Sequence, residues 1–196
     1  MKLIGVTGLI GSGKSYICDI FEHKDIPVFY CDDEAKALYE TEPKLKEAVF
    51  KWFDCETDGK VDTKKLGKIV FADKGALALL ERYVHMYFAE RFDKWVDDRN
   101  EEGHKFVLVE NAVMFKNNFY KQFDFIIGVT LDEDTRIKQT INRDSCTRQD
   151  VLNRMDKQLS ETELYSKCDL IFYSGYNDER LNNYINDLIY YFNNYD

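Results

Sequence analysis

From Gly8 to Ser15 the chain reads GLIGSGKS, which matches the spacing G-x-x-x-x-G-K-[ST]. Gly8, Gly11 and Gly13 permit backbone angles that a Cβ would obstruct. Successive N–H groups, including those of Ser12 and Tyr16, can then turn inward as an anion nest at a helix N-terminus. The pattern predicts that Lys14 reaches the β- and γ-phosphates of a nucleoside triphosphate such as ATP, and that the Ser15 hydroxyl ligates Mg²⁺. A plain glycine-rich turn needs neither the lysine nor the serine.

A loop that grips a triphosphate implies an acceptor. Transfer to a hydroxyl benefits from a carboxylate that orients the nucleophile and takes its proton. The second apolar run ends in YCDDEAK, which makes Asp32 the first candidate and Asp33 the next. Position alone leaves it open that one of them caps the following helix and the other is solvated. The third run ends VLVEN, where Glu110 can orient Mg²⁺ or its waters; an ordinary strand-end charge is the alternative.

Beyond the fourth run, Arg136 and Arg143 are seven apart and share a helical face. TRQD is a capping-box-like start, with Thr147 at the N-cap and Asp150 three residues on. Val151, Leu152, Met155 and Leu159 form the apolar stripe of that helix and leave Arg148 and Arg154 elsewhere on it. Two short Arg-bearing helices suit a lid over phosphates, at about 132–162, because the guanidinium fork holds phosphate oxygens bidentately. A solvated, charged helix pair is the alternative.

These residues need a frame. KLIGVT, IPVFYC, KFVLVEN, FDFIIGVTL and CDLIFY read as five apolar strands separated by helical sequence, which predicts a parallel sheet covered on both faces. The helical stretches are SYICDIFEHK, DDEAKALYE, TEPKLKEAVFKWF, a long pattern from Ala76 to about Asn100, polar sequence from Glu133 to about Thr162, and ERLNNYINDLIYYF. DCETDGKVD is a turn. The expectation is one α/β domain over residues 1–196 with a helical insertion at about 40–100.

The formal charge of −9 argues against a nucleic-acid partner. No apolar run approaches the ~20 residues needed to cross a membrane, and MKLIGVTG lacks a signal-peptide layout. The five cysteines are scattered without a C-x-x-C, as suits reduced thiols. A cytoplasmic protein, a monomer or small homo-oligomer, is expected.

The motifs taken together resemble the dephospho-coenzyme A kinase family over nearly the whole length. The resemblance is carried by GVTGLIGSGKS, IPVFYCDDEAKAL, DGKVDTKKLGKIVF, LLERYVHM, VENAVMFKNNF, RIKQTINRD with VLNRMDKQ, and CDLIFYSG, in that order. It implies a three-layer P-loop kinase fold with a helical acceptor-binding insertion and a helical lid. It also implies transfer of the ATP γ-phosphoryl group to the ribose 3′-hydroxyl of dephospho-coenzyme A, with Mg²⁺. The family's catalytic carboxylate falls on Asp32, its usual basic residue on Lys36, and His85 falls in the acceptor region. Lys14 and Arg143, helped by Arg136 or Arg154, would neutralise the transferring group. Departures stand at Tyr30, Thr63, Met86, Ala112, Lys116, Gln139 and Ser174; Lys116 replaces a usual Glu and Ser174 a usual Asn. Tyr30 replaces an acidic residue, so Asp32 is expected to act alone, ionised, with both side chains on one side if the strand continues. A related small-molecule kinase and a non-catalytic nucleotide-binding descendant are the alternatives.

Overall fold

The computed structural model describes residues 1–195, Asn117 by its backbone. The chain runs β1 (Lys2–Gly8), α1 (Lys14–Glu22), β2 (Val28–Tyr30), α2 (Cys31–Thr41), α3 (Pro43–Trp52), β3 (Glu56–Thr57), β4 (Lys60–Val61), α4 (Thr63–Ala72) and α5 (Lys74–Glu101). It continues with β5 (Phe106–Glu110), a 3-10 helix (Lys116–Gln122), β6 (Phe125–Thr130), α6 (Glu133–Asp144), α7 (Arg148–Met155), α8 (Glu161–Lys167), β7 (Leu170–Tyr173) and α9 (Asp178–Asn194). Two compact units result: residues 1–30 with 102–196, and residues 31–101.

The first unit is built on a parallel sheet in the order β2-β5-β1-β6-β7. Every residue of β5 is buried, as expected of a central parallel strand. Ile4, Val6, Leu108, Ile127 and Val129 pack with Ile17 and Phe21 of α1 and with Leu181, Ile185 and Phe192 of α9. Side chains alternate along a strand, so Gly5 faces the other way, toward Met114 and Phe123. All five strands expected from the apolar runs are present.

The second unit is helical. Leu38, Leu45, Val49, Leu66, Val70 and Leu80 gather in a cluster of their own. Pro43 opens α3, where its missing N–H costs nothing, and Asp62 caps α4 by accepting from the N–H groups of Lys64 and Lys65. The Asp-Gly turn joins the short hairpin β3–β4, with Asp58 and Gly59 both at positive φ. The helical segment expected at 40–100 lies in this unit, which begins earlier, at Cys31.

One boundary is corrected. The run IPVFYC is expected to be strand through Cys31, with helix from Asp32; the strand instead ends at Tyr30 and helix begins at Cys31, with Asp32, Asp33 and Glu34 in its acidic first turn. The condition under which Asp32 and Tyr30 would leave one strand on the same side is therefore not met. Negative charge in that turn complements the helix dipole, which favours helix from the cysteine onward.

Candidate active site

The nest forms between β1 and α1. Gly11 has φ 72° and Gly13 has φ 81°, both left-handed. A Cβ on Gly11 would lie 2.4 Å from the Arg136 carbonyl oxygen, so glycine is required there for space as well as angle. The N–H groups of Gly11, Gly13, Ser15 and Tyr16 have no protein acceptor among the described residues. Converging N–H groups of this kind make an anion site at the positive end of α1. Lys14 Nζ donates to the carbonyl oxygens of Gly8 (3.2 Å) and Leu9 (3.4 Å), at the mouth of the loop.

Three contacts from distant sequence hold the loop in shape. Ser174 Oγ donates to the Ser12 carbonyl at 2.6 Å and to the Thr130 carbonyl at 3.3 Å. Ile10 N–H donates to Gln158 Oε1 at 2.8 Å. The Tyr16 hydroxyl donates to Asp178 at 2.8 Å and ties α1 to the start of α9. Ser12 itself is fully buried, and its Oγ has no hydrogen-bond partner among the described residues.

Glu110 closes β5 and is 7% exposed. The buried Cys18 thiol is pushed well up, mainly by burial and then by Glu110, with Lys14 acting in the opposite sense. Glu110 and Lys14 therefore both bear on the start of α1. The Ser15 hydroxyl is exposed and has no protein partner among the described residues. Mg²⁺ is usually held by one or two protein oxygens together with substrate phosphates and water. Ser15 and Glu110 supply hard oxygens of that kind, so the residues present fit the ion.

The arginines of the charged segment divide. Arg143 makes a two-pronged contact with Asp144, at 2.7 and 3.2 Å, and Arg154 Nη1 reaches the same carboxylate at 2.6 Å. The Arg143 bond and then Arg154 hold the Asp144 carboxyl at about 2. Arg136 does not join them. It is 2% exposed, donates from Nε to the Leu131 carbonyl and faces Glu133 and Glu161 at 3.9 and 3.7 Å. Arg148 stands 3.8 Å from Asp134.

In the second unit, Asp32 lies in the first turn of α2, exposed and without a partner among the described residues. Lys36 pairs with Asp33 at 3.1 Å. His85 is exposed on α5. In the first unit, the Tyr30 hydroxyl donates to Glu22 (2.8 Å) and Asp19 (3.1 Å) on α1. Burial and the Glu22 bond raise the Tyr30 pKa strongly, which keeps the phenol neutral.

Residues 2–179 match the family model described as Dephospho-CoA kinase. The chain belongs to that family. The dephospho-CoA kinase of Salinibacter ruber is 31% identical over 172 residues, 86% of each chain. The dephospho-CoA kinase of Bartonella henselae is 27% identical over 175 residues, 89% of this chain and 90% of the relative. Among solved structures, the dephospho-CoA kinase from Campylobacter jejuni superposes with a TM-score of 0.71 at 23% identity, covering 97% of both chains. Shikimate kinase from Aquifex aeolicus reaches 0.52 at 13% identity over 96% of both chains. These structural likenesses establish the three-layer P-loop kinase fold, and membership of the dephospho-CoA kinase family makes the chain a phosphotransferase.

Sequence reasoning did not find Asp144, Gln158 or the hydroxyl contact of Ser174. It also missed α8. The signal for α8 was present: Ser160 and Glu163 form a full capping box, S-x-x-E, with the same reciprocal bonds that Thr147 and Asp150 make as T-x-x-D for α7.

Proposed function

We propose that the chain transfers the γ-phosphoryl group of ATP to the ribose 3′-hydroxyl of dephospho-coenzyme A, releasing coenzyme A and ADP. The observation that carries this reading is the set of unpaired N–H groups at Gly11, Gly13, Ser15 and Tyr16 with Lys14 at their mouth, in a member of this family. The nest takes the phosphates of ATP, and Lys14 exchanges the Gly8 and Leu9 carbonyls for β- and γ-oxygens. Ser15, supported by Glu110, would hold Mg²⁺, which would supply charge neutralisation at the phosphates.

Asp32 is assigned the hydroxyl proton. It has no competing partner among the described residues, whereas Asp33 is engaged with Lys36. Lys36 and His85 are assigned to the acceptor. Arg143 and Arg154 are assigned to the charge spread over the transferring oxygens, in exchange for Asp144. Arg136 is assigned a support role under this segment, because its guanidinium is already buried against Leu131. The α6–α7 segment is read as a lid, and a cytoplasmic setting, supported by the scattered thiols, belongs to the same reading.

The test is steady-state kinetics of Asp32→Asn and Tyr30→Phe beside ATP titrations. Asp32→Asn should lower kcat with dephospho-coenzyme A by about 10²–10⁴-fold and leave ATP affinity nearly unchanged. Tyr30→Phe should cost little in kcat, because its hydroxyl serves α1. An active Asp32→Asn enzyme would move the base to another residue, with Asp33 the next to examine.

A further inference from the structure

A cleft of about 290 Å³ opens beside the end of β1, where Thr7, Gly8 and Leu9 lead into the nest. Its first wall follows β5. Asn111 N–H donates to the Val6 carbonyl and Asn111 Oδ1 accepts from Val113 N–H at 2.8 Å, which turns the chain sharply. Met114 is fully buried against Gly5, where a Cβ would come within 2.6 Å of its sulfur. The second wall is the connection from α7 into α8, tied to the phosphate loop by the Gln158–Ile10 bond.

The interior is mostly apolar, with Val113, Met114, Phe115, Leu159 and Leu164 contributing. Val113 is 54% exposed, a large fraction for an apolar residue held in a fixed turn. The rim is cationic: Lys116, Lys157 and Lys167 all line it. None of the three is ion-paired with a carboxylate among the described residues, and Lys167 Nζ stands 5.3 Å from the Phe115 ring centroid. Glu163 also lines the cleft, but Ser160 engages its carboxylate twice, at 2.8 Å from N–H and 2.8 Å from Oγ. Three lysines around one apolar cleft, against the single lining carboxylate of Glu163, whose charge interacts with Lys167, are a local exception in a chain of net charge −9.

We propose that this cleft receives the pantetheine arm of dephospho-coenzyme A, with the lysine rim on the diphosphate that joins the arm to the nucleoside; the proposal rests on the activity proposed above. Ligand cavities usually span roughly 300–1,000 Å³, so this one admits a slender arm and not a whole nucleotide. The arm is a chain of methylenes, a gem-dimethyl group and two amides, which suits the apolar walls. The diphosphate is anionic, which suits the rim.

The experiment is kinetics of the full chain carrying Lys116→Glu with Lys157→Glu, with 4′-phosphopantetheine as the probe for the arm alone. In the wild type this probe should compete with dephospho-coenzyme A and not with ATP. In the double variant the KM for dephospho-coenzyme A and the inhibition constant of the probe should each rise by about tenfold or more, with the KM for ATP unmoved. Lys167→Ala, read the same way, guards against a misfolded double variant. An unchanged KM for dephospho-coenzyme A in all these variants, or competition of the probe with ATP, overturns the cleft assignment. A wild-type chain that does not phosphorylate dephospho-coenzyme A overturns the activity itself and this assignment with it.

Discussion

The phosphate loop and the α6–α7 segment both present cations, which the activity proposed above directs to the same phosphates, but they are held in different ways. The loop is fixed by backbone geometry and by contacts from far along the chain: Ser174 on the Ser12 carbonyl, Gln158 on Ile10, and the tight seat of Gly11. Its N–H groups point where an anion would sit before any anion arrives. Arg143 and Arg154 are instead exposed and share one carboxylate, Asp144. Burial and backbone pairing give preorganisation, whereas a surface ion pair is weak enough to be exchanged for a ligand.

The sharpest way to break this contrast is at Lys14. Lys14→Ala removes the point charge from a preformed site, so activity should fall by about 10³-fold or more while circular dichroism stays native. Near-native turnover with ATP and Mg²⁺ would mean that the loop does not serve the donor. A smaller effect is expected at Arg143. Arg143→Lys keeps the charge and loses the fork, so kcat should drop by about 10- to 100-fold, with nucleotide binding much less affected. Equal losses in kcat and in nucleotide affinity would place Arg143 in ground-state binding instead.

The smallest effect should come from Asp144 alone. Its carboxyl is held at about 2, below the ordinary 3.8, so the unfolded chain binds the proton more readily than the folded one. The stability it adds is therefore complete above about pH 4 and is lost as the pH falls through about 2. Because the trio is exposed, the whole effect should stay below about 1 kcal/mol. Urea denaturation should show Asp144→Asn slightly less stable than wild type at pH 6, with the gap closing by pH 2. A gap that widens on acidification would contradict the pairing.

What could be read in the sequence was local. The loop motif, the five apolar runs and the Thr147–Asp150 capping box each depend on residues within one turn or strand, and all are present. The start of α2 was misread because Cys31 extends an apolar run, while the acidic turn behind it ends the strand. Arg136 was placed with Arg143 because both lie on one face of a polar helix. Its burial depends on the Leu131 carbonyl and on Glu161, 25 residues away in sequence. The clamps at Ser174 and Gln158 bridge 162 and 148 positions, and neither residue carries a motif of its own. Side chains that act on backbone groups so far off leave no local pattern to read.

The seat of Gly11 has a mechanical consequence. Its Cα lies against the Arg136 carbonyl, which also accepts from Thr140 Oγ1 at 2.8 Å, and both Arg136 and Thr140 are almost wholly enclosed. The first two turns of α6 are thus bolted to the phosphate loop, while Arg143 and Asp144 stand at the free end of the same rod. If this segment swings when substrates bind, its fulcrum lies beyond Thr140. Ser145, in the left-handed conformation at φ 50°, is the natural flexing point for the short arm that carries Arg154. The two guanidinium groups would then travel different distances: Arg143 would pivot almost in place, and Arg154 would sweep in from outside.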